Sequence, residues 1–220
     1  MGKIRKGVLG GFSGKVGTVI GSSWNGISYM RSLPQHFNDA RTPRQLQQRA
    51  KFNKAMEFLT PIKDYICIGY KIYAVKKSAF NAAVSYMVKN AVGGSYPDIE
   101  INYQRMLVSR GDLTPPKDVA ATISERCVTI TWTDNSAEGS ADASDLSMPL
   151  AYNVSKGQAV FEIAATTRSS QSVALPLPSD WLRDTIQLYL GFISEDGMEV
   201  ANSVYLCLQP YNGAISNHIL

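Results

Sequence analysis

The spacing of apolar residues changes character along this chain. Between residues 7 and 29 glycine recurs at Gly7, Gly10, Gly11, Gly14, Gly17, Gly21 and Gly26, among Val8, Leu9, Phe12, Val16, Val19, Ile20, Trp24, Ile27 and Tyr29. Glycine at that density costs a helix roughly 1 kcal/mol per residue. Flexible Gly/Ser linkers, for their part, lack the interleaved β-branched and aromatic residues. The pattern predicts kinked strands, a glycine-rich β arm lying against another surface, with β-augmentation on a neighbouring subunit the favoured geometry and the chain's own helices the alternative. From Thr42 the period becomes helical. Thr42-Pro43-Arg44-Gln45 reads as an N-cap, a first-turn proline and a capping-box partner. Leu46, Ala50, Asn53, Met56 and Leu59 then form a stripe that Pro61 stops. A second stripe, Ile62, Tyr65, Ile66, Gly69, Tyr70 and Tyr73, predicts a helix over 62–75. A third, Phe80, Ala83, Val84, Met87, Val88 and Ala91, has Ser78 as its cap and Gly93-Gly94 as its stop.

Period two takes over from Tyr96, with Ile99, Ile101 and Tyr103 alternating with polar residues. Arg110-Gly111-Asp112 and Pro115-Pro116 then punctuate a boundary near Thr114. Beyond it, apolar runs at Val119–Ile123, Val128–Trp132, Leu150–Val154, Ala159–Ile163, Ser172–Leu177, Thr185–Ile193 and Val200–Leu208 predict the short, evenly spaced strands of a β-sandwich. The class expected is α+β: an arm over 1–41, a helical region with short strands over 42–113, a sandwich over 114–210 and a tail over 211–220.

With 220 residues, 45% of them hydrophobic, the chain is long enough for proper cores. No run reaches the roughly 18 apolar residues of a membrane helix. The basic start, Met-Gly-Lys-Ile-Arg-Lys, is followed by glycines and Lys15 with no small-x-small cleavage site, so it reads as mature sequence made in the cytoplasm. Lys6 stands where myristoylation needs Ser or Thr. Cys67, Cys127 and Cys207 are odd in number, far apart and set in apolar runs, which predicts small buried hydrophobes in a reducing compartment.

Charge adds a polarity that the periodicities do not reveal. Residues 1–110 hold 10 Lys and 7 Arg against 2 Glu and 3 Asp, a net of +12. Residues 111–220 hold 5 cations against 13 carboxylates, a net of −8. Such a division suits either a nucleic-acid-binding half or like subunits stacked so that basic and acidic faces meet.

Chemical motifs are scarce. Gly10-Gly-Phe-Ser-Gly-Lys15 hints at a phosphate-binding loop, but Leu9 stands where the first glycine belongs and Val16 where Mg²⁺ needs a hydroxyl. His36 and His218 have no second His or Cys at ligand spacing, which leaves no zinc site and no Ser-His or Cys-His pair. Asp134, Glu138, Asp142 and Asp145 offer hard oxygens, yet their spacing matches no calcium loop and a solvated acidic loop is the plainer reading. A short turn accounts for Arg110-Gly111-Asp112 without cell adhesion. No catalytic residue, cofactor or small-molecule substrate is expected. Lys3, Arg5, Lys6, Lys15, Arg31, Arg41, Arg44, Arg49, Lys51 and Lys54 are interleaved with Trp24, Tyr29 and Phe52, a mixture able to neutralise phosphates and stack on bases. The regular apolar residues of the arm favour packing against protein instead. The residues expected to meet a partner are Phe12, Lys15, Val19, Trp24, Tyr29, Arg31, Arg41, Arg44 and Arg49.

Two resemblances extend this reading. Val128-Thr-Ile-Thr-Trp132 after Pro115-Pro116, with Leu177-Pro178 and Tyr189-Leu-Gly-Phe-Ile193, resembles a fibronectin type III or related immunoglobulin-like domain. That resemblance implies a core tryptophan at 132 and a tyrosine-corner residue at 189, although the spacing from Pro178 to Tyr189 is longer than usual. Gly10-Gly-Phe-Ser-Gly-Lys-Val-Gly17, Tyr29-Met-Arg31, Arg41-Thr-Pro-Arg-Gln-Leu-Gln-Gln-Arg49, Phe80-Asn-Ala-Ala83, Val108-Ser-Arg-Gly111, Trp132-Thr-Asp-Asn135 and Phe192-Ile-Ser-Glu-Asp-Gly197 are together similar to a family of small proteins of unknown function from Bacteroides-type bacteria and their phages and prophages. The resemblance implies a non-enzymatic structural component of a multi-subunit assembly, a phage virion in a portal, tail-ring or capsid accessory position. Its partners would be its own copies and other structural subunits, with nucleic acid possible, and its location the bacterial cytoplasm and then the virion. The alternative is a cytoplasmic nucleic-acid-binding protein using the basic half.

Overall fold

The structure, a computed structural model, describes residues 2–4, 10–24, 26–34, 36, 39, 41–124, 127–181 and 184–206. Arg5, Lys6, Val8, Leu9, Cys207, the end of the last expected strand, His218 and the 211–220 tail lie outside them. The class is α+β, and the chain divides into two compact units at Thr42–Pro43. The change from helix to strand near Thr114 falls inside the second unit.

That unit begins with helix α1 (Pro43–Leu59), α2 (Lys63–Gly69) and α3 (Ala79–Asn90). The expected stripes of α2 and α3 are buried or half-buried throughout, and Ser78 Oγ accepts from the Asn81 amide at 3.1 Å as the N-cap of α3. In α1 the buried residues are Ala55, Phe58 and Leu59, while Asn53 is exposed. The C-terminal half of that helix sinks into the core, because Ala55, Met56, Phe58 and Leu59 concentrate there, whereas Leu46 and Ala50 stand among Gln and Arg and are half-buried. Helix α2 ends at Gly69, six residues short of expectation. A Cβ on Gly69 would lie 2.7 Å from the Val108 carbonyl, so the chain turns away where segment 106–113 crosses. Gly93 and Gly94 belong to the hairpin of β5 (Val92–Ser95) and β6 (Asp98–Ile101) rather than to a helix stop.

All seven expected strand runs form strands. They are β7 (Lys117–Ser124), β8 (Cys127–Thr133), β9 (Leu146–Asn153), β10 (Gln158–Phe161), β11 (Ser172–Pro176), β12 (Ile186–Ile193) and β13 (Val204–Leu206). They make two antiparallel sheets, one ordered β11-β8-β7 and the other β10-β9-β12-β13. The two sheets share a core of Val128, Ile130, Trp132, Val173 and Leu175 from one, with Ala151, Leu188, Leu190 and Phe192 from the other. On its opposite face the four-stranded sheet carries Met148, Leu150, Tyr152 and Tyr189, which pack with Phe58, Tyr65, Ile66 and Met87 of the helices. It is therefore a middle layer, and its two central strands are buried on both faces. Strands so placed must be apolar at consecutive positions. Pro149 is tolerated there because its carbonyl accepts from Glu162, just past the end of β10, so its missing N–H falls on a side where the ladder needs no donor.

Trp132 is buried, edge-on to Phe192 with ring centroids 5.3 Å apart, and its indole N–H donates to the Arg168 carbonyl at 2.7 Å. Tyr189 does not act as a corner within its sheet. It lies on the helix-facing side, and its hydroxyl donates to the Tyr103 carbonyl at 2.9 Å. Burial raises the pKa of the Tyr189 phenol, as it does for Tyr65, whose hydroxyl donates to the Met148 carbonyl at 2.9 Å. Both therefore stay protonated donors at neutral pH.

Trp132→Ala is expected to cost about 3–5 kcal/mol, read as a shift in the urea midpoint. Gly191→Ala probes the other face of the middle layer, where a Cβ would stand 2.6 Å from Ser109 Oγ and 3.2 Å from the Tyr65 hydroxyl. Overpacking of that kind is expected to cost about 1–3 kcal/mol in the same measurement.

Candidate partner-binding surface

The first unit is a sheet ordered β1-β2-β3-β4, built from β1 (Lys3–Ile4), β2 (Phe12–Val16), β3 (Val19–Trp24) and β4 (Ile27–Ser32). Two-residue loops join β2 to β3 and β3 to β4. Gly17 takes φ 57° and Gly26 takes φ 88°, the left-handed region that such hairpin loops require. Phe12 explains a third glycine: a Cβ on Gly21 would meet its carbonyl and come within 2.5 Å of its ring, so only glycine allows this close approach.

Registers divide the sheet into two faces of different chemistry. Lys15 is opposite Ile20, and Ile20 is opposite Arg31; Ser22 is opposite Tyr29, and Trp24 opposite Ile27. With Lys3 opposite Ser13, one face carries Lys3, Ser13, Lys15, Ile20, Ser22, Trp24, Ile27, Tyr29 and Arg31. The other carries Phe12, Gly14, Val16, Val19, Gly21, Ser23, Ser28, Met30 and Ser32. All the charge of the described strands is thus on one face, and the other has none. Each face leaves large apolar groups in solvent: Trp24 is 71% and Ile27 66% exposed on the charged face, Met30 70% and Val16 55% on the uncharged one.

Of the residues expected to meet a partner, the sheet brings Lys15, Trp24, Tyr29 and Arg31 together and sets Phe12 and Val19 on the opposite side. Arg41 follows the sheet, with Nε donating to Asp39 at 3.4 Å. Arg44 and Arg49 are exposed on α1 in the other unit. Ile27 and Met30, which that expectation did not include, are nearly as exposed as Trp24. The signal for them was present in Asn25-Gly26, a strong two-residue hairpin sequence that fixes which side chains share a face.

Residues 11–207 match a family of unknown function, DUF6266. The chain belongs to that family. No curated protein and no solved structure matches it. The DUF6266 match runs through both compact units, so the sheet of the first unit from β2 onward is part of the family pattern.

Elsewhere in this DUF6266 chain the remaining motifs resolve into structure. Cys67 is exposed on α2, contrary to its expected burial, because Tyr65 and Ile66 take the core-facing positions of that short helix; Cys127 is half-buried. Arg110 lies over the rings of Tyr73 and Tyr86, 4.3 and 5.3 Å from their centroids, and Gly111 is buried, so of Arg110-Gly111-Asp112 only Asp112 is exposed. Gly14-Lys15 sits in β2. In the acidic loop Asp134 accepts from the Ser136 amide, Glu138 pairs with Lys117, and Asp142 accepts from Ser144, whose hydrogen bonds hold its carboxyl below the usual range. Among the described residues no group of three or more His, Cys, Asp or Glu is placed to hold a metal ion, and no helix is long and apolar enough to cross a membrane.

Asp145 turns inward to the buried Arg168, a residue that sequence reasoning did not single out. The guanidinium reaches Asp145 at 3.1 Å, Asn135 at 2.7 Å and the Thr114 carbonyl at 2.9 Å, and lies 4.1 Å from the Phe192 ring centroid. This network ties the acidic loop to the edge of the inter-sheet core. Arg168→Met would leave the Asp145 carboxylate buried without its cation, and a loss of about 3–5 kcal/mol is expected on urea unfolding.

Proposed function

We propose that this DUF6266 protein is a non-enzymatic structural subunit of a multi-copy assembly. The observation that carries the reading is the uncharged face of the N-terminal sheet. Val16 and Met30 lie open on it beside glycines and serines, in a unit that divides from the rest of the chain. Small soluble proteins rarely leave such a face uncovered, and a sheet face of this size is most economically covered by another protein surface. The polarity of charge supports contact between like copies, since α1 presents Arg44, Arg49 and Lys51 while the later part of the chain is acidic. A phage particle is the assembly that the sequence resemblance implies, with the chain made in the bacterial cytoplasm and carried in the virion.

The finer reading of the second unit is an immunoglobulin-like, fibronectin III-like module. Its support is a three-stranded sheet of the first, second and fifth strands facing a four-stranded sheet of the others, with Trp132 between them. In this reading the module is a rigid platform and the sheet before it is the connector.

Native mass spectrometry of the intact protein is expected to give defined oligomers. Met30→Asp, on the uncharged face, and deletion of residues 1–42 are each expected to shift them to monomers that retain their far-ultraviolet circular dichroism. Oligomers unchanged in both variants would remove the sheet as the connector and this reading with it.

A further inference from the structure

We propose that the charged face of the N-terminal sheet is a binding platform for single-stranded nucleic acid. The inference goes beyond the assembly reading, which uses the opposite face, and each stands or falls alone.

Recognition of a single strand needs two things at once: rings open to stacking, and cations that follow a phosphate backbone. This face supplies both in a fixed order. Trp24 and Ile27 form the pair nearest the Gly26 hairpin. Tyr29 is next along β4, and Arg31 follows with Lys15 beyond the shared neighbour Ile20. Successive same-face residues on a strand are about 7 Å apart, close to the spacing of extended nucleotides. Trp24 and Tyr29 are diagonal neighbours on adjacent strands, both exposed. Lys3, opposite Ser13, adds a third cation at the far edge. No Asp or Glu occurs in the first 38 residues, so nothing on the face repels a polyanion.

A plain solvated basic surface explains the cations but not the open rings, and a protein contact explains the rings but not the confinement of all charge to their side. Bases and phosphates on one strand account for both. A duplex hides its base faces and would use only the cations.

The chain carries its own reporter. Of its three tryptophans, Trp132 and Trp181 are 4% and 2% exposed against 71% for Trp24, so a ligand that stacks on the sheet quenches chiefly Trp24. The experiment titrates the intact protein with oligothymidylate and oligouridylate of about 16 nucleotides, with a duplex of equal length and with heparin, following tryptophan fluorescence and oligonucleotide anisotropy. Saturable quenching is expected with the single strands and weaker binding with duplex. A preference between the two sugars identifies the natural strand, and equal binding places recognition in the bases and phosphates; both uphold the platform. Trp24→Ala is expected to weaken single-strand binding by about 5- to 150-fold and to leave heparin binding unchanged. Three phosphate contacts predict a slope of log affinity against log salt of about −2, flattened by Lys15→Glu with Arg31→Glu. Met30→Asp, on the other face, is expected to bind as the unaltered protein does. The proposal is overturned if the single strands cause no quenching, if Trp24→Ala binds them as tightly as the unaltered protein, or if Trp24→Ala disperses the oligomer without changing oligonucleotide affinity.

Discussion

The pairing of β9 with β12 is the interaction on which everything from Pro43 onward depends. Eight residue pairs, from Ile186 with Asn153 to Ile193 with Leu146, hold the two strands in one register. A shift by one residue would exchange the faces, sending Tyr189 and Leu150 toward the other sheet and Leu188 and Ala151 toward the helices. Both cores would then be wrong together, since each draws on alternate residues of the same strands. A layer buried on both sides thus couples the packing of helices to the packing of the second sheet.

Segment 106–113 makes that coupling physical. Ser203 Oγ accepts from the Val108 amide at 2.9 Å, Ser109 Oγ donates to the Ala201 carbonyl at 2.8 Å, and the Arg110 amide donates to the Gly69 carbonyl at 2.8 Å. These buried groups hold the segment between α2 and the return to β13. The small residues around it serve the same end: Gly69, Gly111 and Gly191 all stand where a Cβ would strike a neighbouring chain segment or side chain. Buried polar groups are costly unless paired, so pairing here fixes one arrangement of helices on sheet.

The N-terminal sheet obeys the opposite logic. Its strands are short and glycine-rich, and Trp24, Ile27, Met30 and Val16 stand exposed on its two sides while Phe12, Val19 and Ile20 are half-buried. Hydrogen bonds and close glycine approaches define its registers, and none of its described residues belongs to either hydrophobic core cluster. Its two faces differ in chemistry, with Lys15, Trp24, Tyr29 and Arg31 on one and Val16 and Met30 on the other, and both proposals made for this unit rest on that difference.

The sequence by itself determined the order and type of the three helices and of the seven strands after Thr114, while strand β5, read as a helix stop, escaped it. Period 3.6 marked α2 and α3 down to individual buried residues, period two marked seven strands, and Ser78 and Pro43 marked helix starts, because these signals are local and each residue carries them with its neighbours. It also determined that Trp132 is a core residue and that charge is divided along the chain. Only the tertiary structure decided that helices and strands share one unit, that Tyr189 points at the helices, that Arg168 is buried with Asp145, and that Cys67 faces outward. Those outcomes rest on which face of a strand meets which partner, and on contacts between residues tens of positions apart, such as Tyr65 with Met148 or Ser109 with Ala201. The separation of Lys15, Trp24, Tyr29 and Arg31 from Phe12 and Val19 belongs to the same class. Composition gathers all six in one arm, and only strand register assigns them to opposite faces.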